Sequence, residues 1–328
     1  MSTEVLDRVE HDDRASWLAE RRTGLGGSDV AGVLGLSPWQ SPWSVWADKV
    51  GLLPLDTDET DAQEFGLMAE PMLRDYFHRR TGLHVTGAQT SVTHPDHPWA
   101  RVTLDGYVAD SPNSDTAALG VFESKTTSEA PWSEVPIHYQ CQAQWAMWVT
   151  GQPMCWFGVL HFAYGRVTFR VYEFHRDDTD IATLEDRCRR FWFDHVTTGI
   201  PPATDGHDAT LAAIEQVYTT PTPDTTLEAD DALVEHLDAF VYCRDEIKAL
   251  TEQQQAHRAA ITAALGDRTT LTRGVDAKGR PVVLATWNQQ TRTGFDLDAF
   301  RARYPRHAHR YQTSTPFRVL RPKTRKAT

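Results

Sequence analysis

Residues 101–126 read RVTLDGYVADSPNSDTAALGVFESKT and contain Asp105, then Glu123 and Lys125 either side of one residue. The stretch reads as two short strands joined by a polar loop with Pro112 and Asn113. Residues two apart in a strand point to the same face, so Glu123 and Lys125 should project side by side, within reach of an Asp105 brought up by a neighbouring strand. Two carboxylates beside an ammonium can hold a divalent cation and activate a water, the apparatus for cutting a phosphodiester. Taken alone, an acid-x-lysine triplet fits better with charges on the wet face of a strand edge. The flanking segments have to decide.

On the N-terminal side, a helix is expected through Trp17 and Leu18, followed by Arg21, Arg22 and a glycine-rich turn (Gly24, Gly26, Gly27). Ser28 and Asp29 are suitable N-cap residues for a short helix, DVAGVLG, which Gly35 can end. A glycine turn feeding a helix beside arginines can seat a phosphate. The same glycines would also suit a plain helix-turn-helix unit that needs close backbone approach. A second helix, SPWSVWADKVG, closes at Gly51. After an acidic stretch, EFGLMAEPMLRDYFHRRTG is predicted helical, with Phe65, Met68, Met72 and Tyr76 on its apolar face, widened by Leu73 and Phe77. Pro71 marks a kink or a first turn. Glu70, among these apolar neighbours, is either solvated on a flank or turned inward to a charge or metal.

Beyond Lys125, PWSEVPIHYQCQAQWAMWVTG begins as a loop and becomes a helix. Gln140, Gln142 and Gln144 alternate through its first turns, and Gln142 has a plain alternative as a backbone-bonding side chain near the helix start. CWFGVLHF and GRVTFRVYEF read as a hairpin through Tyr164 and Gly165, and DIATLEDRCRRFWFDHVTTG as a helix ending at Gly199. PPATDGHD marks a boundary, giving a core over 1–205 and an extension over 206–328. The extension holds one long amphipathic helix, or two, with a seam of Leu233, Leu237, Phe240, Ile247, Leu250, Ile261 and Leu265. A small hairpin around DAKGRP, a short helix near DLDAFRARY and a basic tail follow. Trp39, Trp43, Trp46, Trp145 and Trp148 are expected in the core rather than as base-stacking platforms.

The chain has 328 residues, enough for a main domain and an appendage. It has no apolar run long enough to span a bilayer, and its start is acidic and unlike a signal peptide. Four scattered cysteines read as reduced thiols, which together place the protein in the cytoplasm. The net charge of −12 counts against a nucleic-acid partner taken as a total. Its distribution softens that, because Phe300–Thr328 carries nine Lys or Arg and no acid. Arg321 and Lys323 in that tail are candidates to touch DNA or a protein partner.

The series RRTGLGGSDVAGVLGLSPW, GLMAEPMLRDYF, TLDG, FESK and YQCQAQWAMWVTG resembles the YqaJ-type viral recombinases, which include the exonuclease of phage lambda. These belong to the PD-(D/E)xK nucleases, and the resemblance runs from about residue 14 to about residue 175. It implies an α/β (α+β) restriction-endonuclease-like core: a mixed central sheet flanked by helices, here with a helical C-terminal extension. It implies a phage- or prophage-encoded enzyme of the bacterial cytoplasm. Such an enzyme is a magnesium-dependent 5′-to-3′ exonuclease acting on duplex DNA ends, with manganese able to substitute. Its 3′ overhangs pass to a single-strand annealing protein, and the lambda relative is a trimer.

By the resemblance, Asp105 and Glu123 with the carbonyl of Ser124 hold the metal, and Glu70 completes the site. Lys125 orients or deprotonates the water, and cations nearby would depress its pKa. Gln142, three residues after Tyr139, positions the nucleophile or phosphate, and Tyr139 is itself a weaker DNA-binding candidate. Arg22 and Ser28 match positions that grip a terminal 5′-phosphate, with the neighbouring Arg21 leaving the register open. Ser124 stands where the family often has an apolar residue, a departure not expected to touch the ligand set. Two other readings stay open: a repair or defence endonuclease on the same core, and an inactive DNA-end-binding protein.

Overall fold

A computed structural model of the chain describes residues 19–55, 60–112, 118–314 and 316–323. The expected helix through Trp17 and Leu18, Asn113 of the polar loop and the tail beyond Lys323 lie outside those residues. The chain divides into two units, one ending at Thr219 and one beginning at Thr220.

The first unit opens with helices α1 (Gly27–Val33), α2 (Pro42–Lys49) and α3 (Asp61–Thr81). Strands β1 (His84–Thr86), β2 (Thr90–Thr93), β3 (Arg101–Leu104), β4 (Gly106–Ala109) and β5 (Gly120–Thr127) follow. Then come α4 (Ile137–Thr150), β6 (Met154–Ala163), β7 (Arg166–His175), α5 (Asp178–Phe191) and α6 (Asp208–Val217). Five strands form a mixed sheet in the order β1-β4-β5-β6-β7, and β2 pairs with β3 in a separate ribbon. Only β5 and β6 run parallel in the five-stranded sheet. Parallel neighbours need a crossover, and α4 is that crossover. The β6–β7 hairpin turns through Tyr164 and Gly165 as expected, both with positive φ, the backbone that a two-residue turn between twisted strands requires.

Alternation along the strands builds two cores. Val121 on β5 and Cys155, Phe157 and Val159 on β6 pack with the helices α1, α2, α4 and α5. Phe122, Trp156 and Leu160 pack on the opposite face against Ala69, Leu73 and Phe77 of α3. Helix α3 is capped by Thr60, whose hydroxyl accepts from the Gln63 amide, and ends at Gly82 in the left-handed region. It runs through Pro71, so Pro71 is an interior residue rather than a first-turn one.

The burial of α3 corrects the expected apolar face. Phe65, Met68, Met72 and Tyr76 are exposed, while Ala69, Leu73 and Phe77 are buried at a spacing of four residues. A helix lying across one sheet face needs a narrow stripe, and the small Ala69 permits closer contact than the larger side chains would. The first unit also runs past residue 205. Helix α6 packs back on α2, burying Ala213 and placing the Thr210 hydroxyl 2.6 Å from the Ser41 hydroxyl.

In the second unit, α7 (Asp231–Leu265) is one continuous helix of 35 residues, capped by the Asp230 carboxylate at the Leu233 amide. Of its expected seam, Leu265 is buried, whereas Leu233, Phe240, Ile247, Leu250 and Ile261 are exposed. Strands β8 (Thr270–Val275) and β9 (Pro281–Thr286) form the expected hairpin, followed by α8 (Leu297–Arg303) and α9 (Pro305–Arg310). Arg321 and Lys323 lie in a segment without regular structure. Lys323 borders a surface depression shared with Asp238 and Asp245 of α7. Among the described residues, no helix is long and apolar enough to cross a membrane.

The two faces of α3 should respond differently to truncation. Phe77→Ala is expected to cost about 3–5 kcal/mol, and Met68→Ala to stay within about 0.5 kcal/mol, both read from denaturant melts.

Candidate active site

Asp105 occupies the single position between β3 and β4, where the chain passes from the two-stranded ribbon into the central sheet. The next residue, Gly106, pairs with Phe122, so Asp105 arrives beside Glu123 and Ser124. A side chain at Gly106 would collide with Val85 and approach the Thr86 carbonyl oxygen to 3.0 Å. Glycine is therefore required where β4 enters against β1.

Glu123 and Lys125 lie two apart on β5, as the pattern predicts, and they touch: Lys125 Nζ donates to Glu123 Oε2 at 3.1 Å. Gln142, on α4, donates from Nε2 to the same oxygen at 3.0 Å. Its side chain thus meets the candidate site rather than the backbone. Glu123 is 1% exposed, and its second oxygen, Oε1, is buried with no hydrogen-bond partner. Burial, only partly offset by Lys125, pushes its pKa up to about 7, and Asp105 adds to the rise.

Asp105 Oδ2 accepts from the Ser124 amide at 2.7 Å and from the Ser124 hydroxyl at 2.7 Å. Ser124 was expected to leave this set alone; instead, its hydroxyl orients the aspartate. An apolar residue at that position would remove one of the two bonds. Glu70 reaches the same cleft from α3, accepting from Gln89 Nε2 at 2.8 Å with Arg74 3.5 Å away. Burial first, and Asp105 second, raise the Glu70 pKa. It is therefore turned inward, facing the other acids.

Lys125 is the point of reversal. Burial opposes its charge, but Glu123 and Asp105 outweigh burial and raise its pKa. The expected depression presumed neighbouring cations, whereas the chain itself surrounds the amine with anions. Its ammonium also sits 5.0 Å from the centroid of the Tyr139 ring. Tyr139 packs on Trp132, and the Trp132 amide donates to the Tyr172 hydroxyl at 2.9 Å, fixing the loop between β5 and α4.

The two arginines separate cleanly. Arg22 is consumed by structure: its guanidinium bonds Asp48 at 2.9 Å and the Leu53 carbonyl at 2.7 Å. Arg21 instead donates to the Ser28 hydroxyl at 3.0 Å, and both line the cleft with Glu70 and Asp105. The glycines serve close approach as well. A Cβ on Gly24 would lie 2.7 Å from the Trp99 carbonyl, and one on Gly27 would lie 3.3 Å from the Gln142 side chain.

Asp29 is not the N-cap. It sits in the first turn, with Gly26 as cap, and its carboxylate accepts from the Gly26 amide at 2.7 Å. It also meets Lys49 Nζ at 2.6 Å, both side chains being almost fully buried. Lys49 in turn donates to the Arg21 carbonyl at 2.9 Å, tying the turn that presents Arg21 and Ser28 to α2.

Sequence reasoning missed Gln89, the Ser124 hydroxyl and the Asp29–Lys49 pair. A lysine in the last position of an amphipathic helix gives no signal of burial, and Gln89 comes from a turn of unremarkable composition. Among the described residues, no group of three His, Cys, Asp or Glu is assembled for a metal ion. The acids that face this cleft, Asp105, Glu123 and Glu70, offer carboxylate oxygens, hard ligands suited to magnesium or calcium rather than zinc. The orphaned Glu123 Oε1 is the atom that such an ion would satisfy.

An aspartate entering the central sheet beside a strand-borne Glu-x-Lys is the arrangement that the PD-(D/E)xK pattern describes. Residues 16–153 match the YqaJ-like viral recombinase domain. The family resemblance of the motifs is thereby borne out. The YqaJ protein of Bacillus subtilis (strain 168) is 29% identical over 257 residues, covering 76% of this chain and 77% of that one. Among solved structures, the alkaline exonuclease LHK-Exo of Laribacter hongkongensis is 20% identical, with a TM-score of 0.43 over 57% of this chain and 94% of that one. A putative exonuclease from Eubacterium rectale is 9% identical, with a TM-score of 0.46 over 70% of this chain and 98% of its own.

Removing one partner of the Asp29–Lys49 pair should be severe. Asp29→Asn or Lys49→Met is expected to cost about 3–5 kcal/mol in chemical unfolding, because a lone buried charge remains. Burial works against the Asp29 carboxylate, but Lys49 and Arg21 lower its pKa overall. The stability that Asp29 contributes is thus complete above its unfolded pKa and lost as pH falls through the lower folded value. Wild type should show this acid sensitivity, and Asp29→Asn should lack that component.

Proposed function

We propose that this protein is a magnesium-dependent nuclease that degrades duplex DNA from an end, 5′ to 3′, leaving 3′ overhangs for recombination by strand annealing. The observation that carries the reading is the buried Glu123 carboxylate, with one oxygen orphaned, held between Lys125 and Gln142 beside Asp105. The viral recombinase domain over residues 16–153 supports a DNA-processing role, and the phage-type direction and product follow from that family alone.

Asp105, Glu123 and the Ser124 carbonyl would hold the magnesium, with Glu70 completing the site; manganese would fit the same oxygens. Bound there, the ion would polarise the phosphate and lower the pKa of a water. The chain's own residues do the rest. Ser124 and Gln89 fix the carboxylates of Asp105 and Glu70 through hydrogen bonds. Gln142 fixes Glu123. Lys125, held at Glu123 on the edge of the cleft, would orient a water or a phosphate oxygen. Arg21 with Ser28, rather than Arg22, would receive a 5′-phosphate.

The decisive assay compares linear duplexes bearing 5′-phosphate or 5′-hydroxyl ends with a covalently closed circle, with and without magnesium. Degradation of the linear phosphorylated DNA alone, and only with magnesium, is the expected result. Cleavage of the circle would favour an endonuclease, and end binding without cleavage an inactive end-binding protein. Lys125→Ala should fold, still bind ends and lose about 10²–10³-fold in rate. Asp105→Ala at the wild-type rate would refute the assignment.

Metal binding should also depend on pH. Glu123 must shed a proton that it holds up to about pH 7, so magnesium affinity should rise with pH to that point and level off above it. Calorimetry in buffers of differing ionisation enthalpy should detect proton release below pH 7 and little above.

A further inference from the structure

Of the tryptophans expected in the core, Trp43, Trp46 and Trp145 are buried and Trp148 is partly buried, but Trp39 is 64% exposed. Its loop is nevertheless firmly built. The Ser37 hydroxyl, itself buried, accepts from the Trp39 and Gln40 amides at 3.1 Å each. The amides of Leu36 and Ser37 both donate to the Ala31 carbonyl, at 2.8 and 3.1 Å. A large aromatic held in water on a fixed loop is preorganised to meet something outside the chain.

What lies beside Trp39 indicates the class of ligand. Its ring meets His138 edge-on at 4.9 Å and lies 6.4 Å from Tyr139. His138 and Tyr139 are 4.1 Å apart, and Tyr139 carries the Lys125 ammonium at 5.0 Å. Tyr139, His138 and Trp39 thus form one contiguous aromatic cluster, with the Lys125 ammonium at its Tyr139 end and the exposed indole at its outer end. Tyr139 and Lys125 line the same cleft as Arg21 and Ser28. A strand whose phosphate rests at Lys125 would bring a neighbouring base to this cluster.

We propose that Trp39, backed by His138 and Tyr139, is a stacking platform for a nucleobase of the DNA strand being processed. Stacking accepts any base, because every base presents a π-face, and so suits an enzyme that must move along arbitrary sequence. The proposal rests on the nuclease reading for the identity of its ligand, but its test is a binding measurement that needs no cleavage.

The full-length chain is titrated in chelator with a fluorescent linear duplex carrying a short single-stranded end. A second duplex is identical except for abasic sites at the nucleotides flanking the junction. Wild type is expected to bind the abasic duplex about 5- to 150-fold more weakly. Trp39→Ala should lose a similar factor on intact DNA and show no further loss on abasic DNA. Trp39→Phe should recover most of the affinity and the sensitivity to abasic sites. A purely structural role would lower both affinities without erasing their ratio. The proposal is overturned if wild type ignores the abasic sites, if Trp39→Ala binds as wild type does, or if it keeps the wild-type ratio; the indole would then serve a protein partner or none. A wild-type chain that stacks bases yet fails to cleave with magnesium would sink the nuclease reading and leave the platform standing.

Discussion

A carboxylate stripped of water in the middle of a sheet is the constraint around which the first unit is arranged. Glu123 is pinned on one oxygen by Lys125 and Gln142 and left unsatisfied on the other. An unpaired buried oxygen of this kind raises the energy of the folded chain, and native proteins keep such atoms where a ligand or a reaction uses them. The surrounding acids deepen the cost. Asp105 raises the pKa of both Glu123 and Glu70, and the chain offers Lys125 as the close cation in partial answer.

The architecture reads as the means of holding that frustrated group still. The β5–β6 pair is parallel, which forces α4 to cross over and return, and the crossover delivers Gln142 and Tyr139 to the face carrying Glu123 and Lys125. Phe122, between the two cores in sequence, points the other way and anchors β5 under α3. The same α3 brings Glu70 in from its flank. The strand is thus clamped from both sides by the elements that supply the remaining polar groups, and geometry at the site is coupled to core packing.

The turn before α1 follows the same logic with a different device. Its two arginines have divided the work, Arg22 holding the Leu53–Pro54 segment and Arg21 facing the cleft. The buried Asp29–Lys49 pair sets the turn between them. A pair this dry adds little net stability compared with apolar packing, but it tolerates no partial loss, so it specifies one conformation for the backbone carrying Arg21 and Ser28.

The sequence by itself determined the strand-borne Glu-x-Lys, the preceding aspartate, the β6–β7 hairpin and the helices on either side, because alternation, turn residues and caps are local properties. It also placed Glu70, Gln142 and Ser28 on the right elements through motif order. Long-range packing settled which way the ambiguous residues faced. The exposed Phe65–Tyr76 stripe of α3, the retreat of Arg22 to Asp48, the exposure of Trp39 and the use of the Ser124 hydroxyl each depend on what packs opposite, which no local pattern encodes. The sign of the Lys125 shift belongs there too, since it is the balance of burial against two carboxylates brought in from distant parts of the chain.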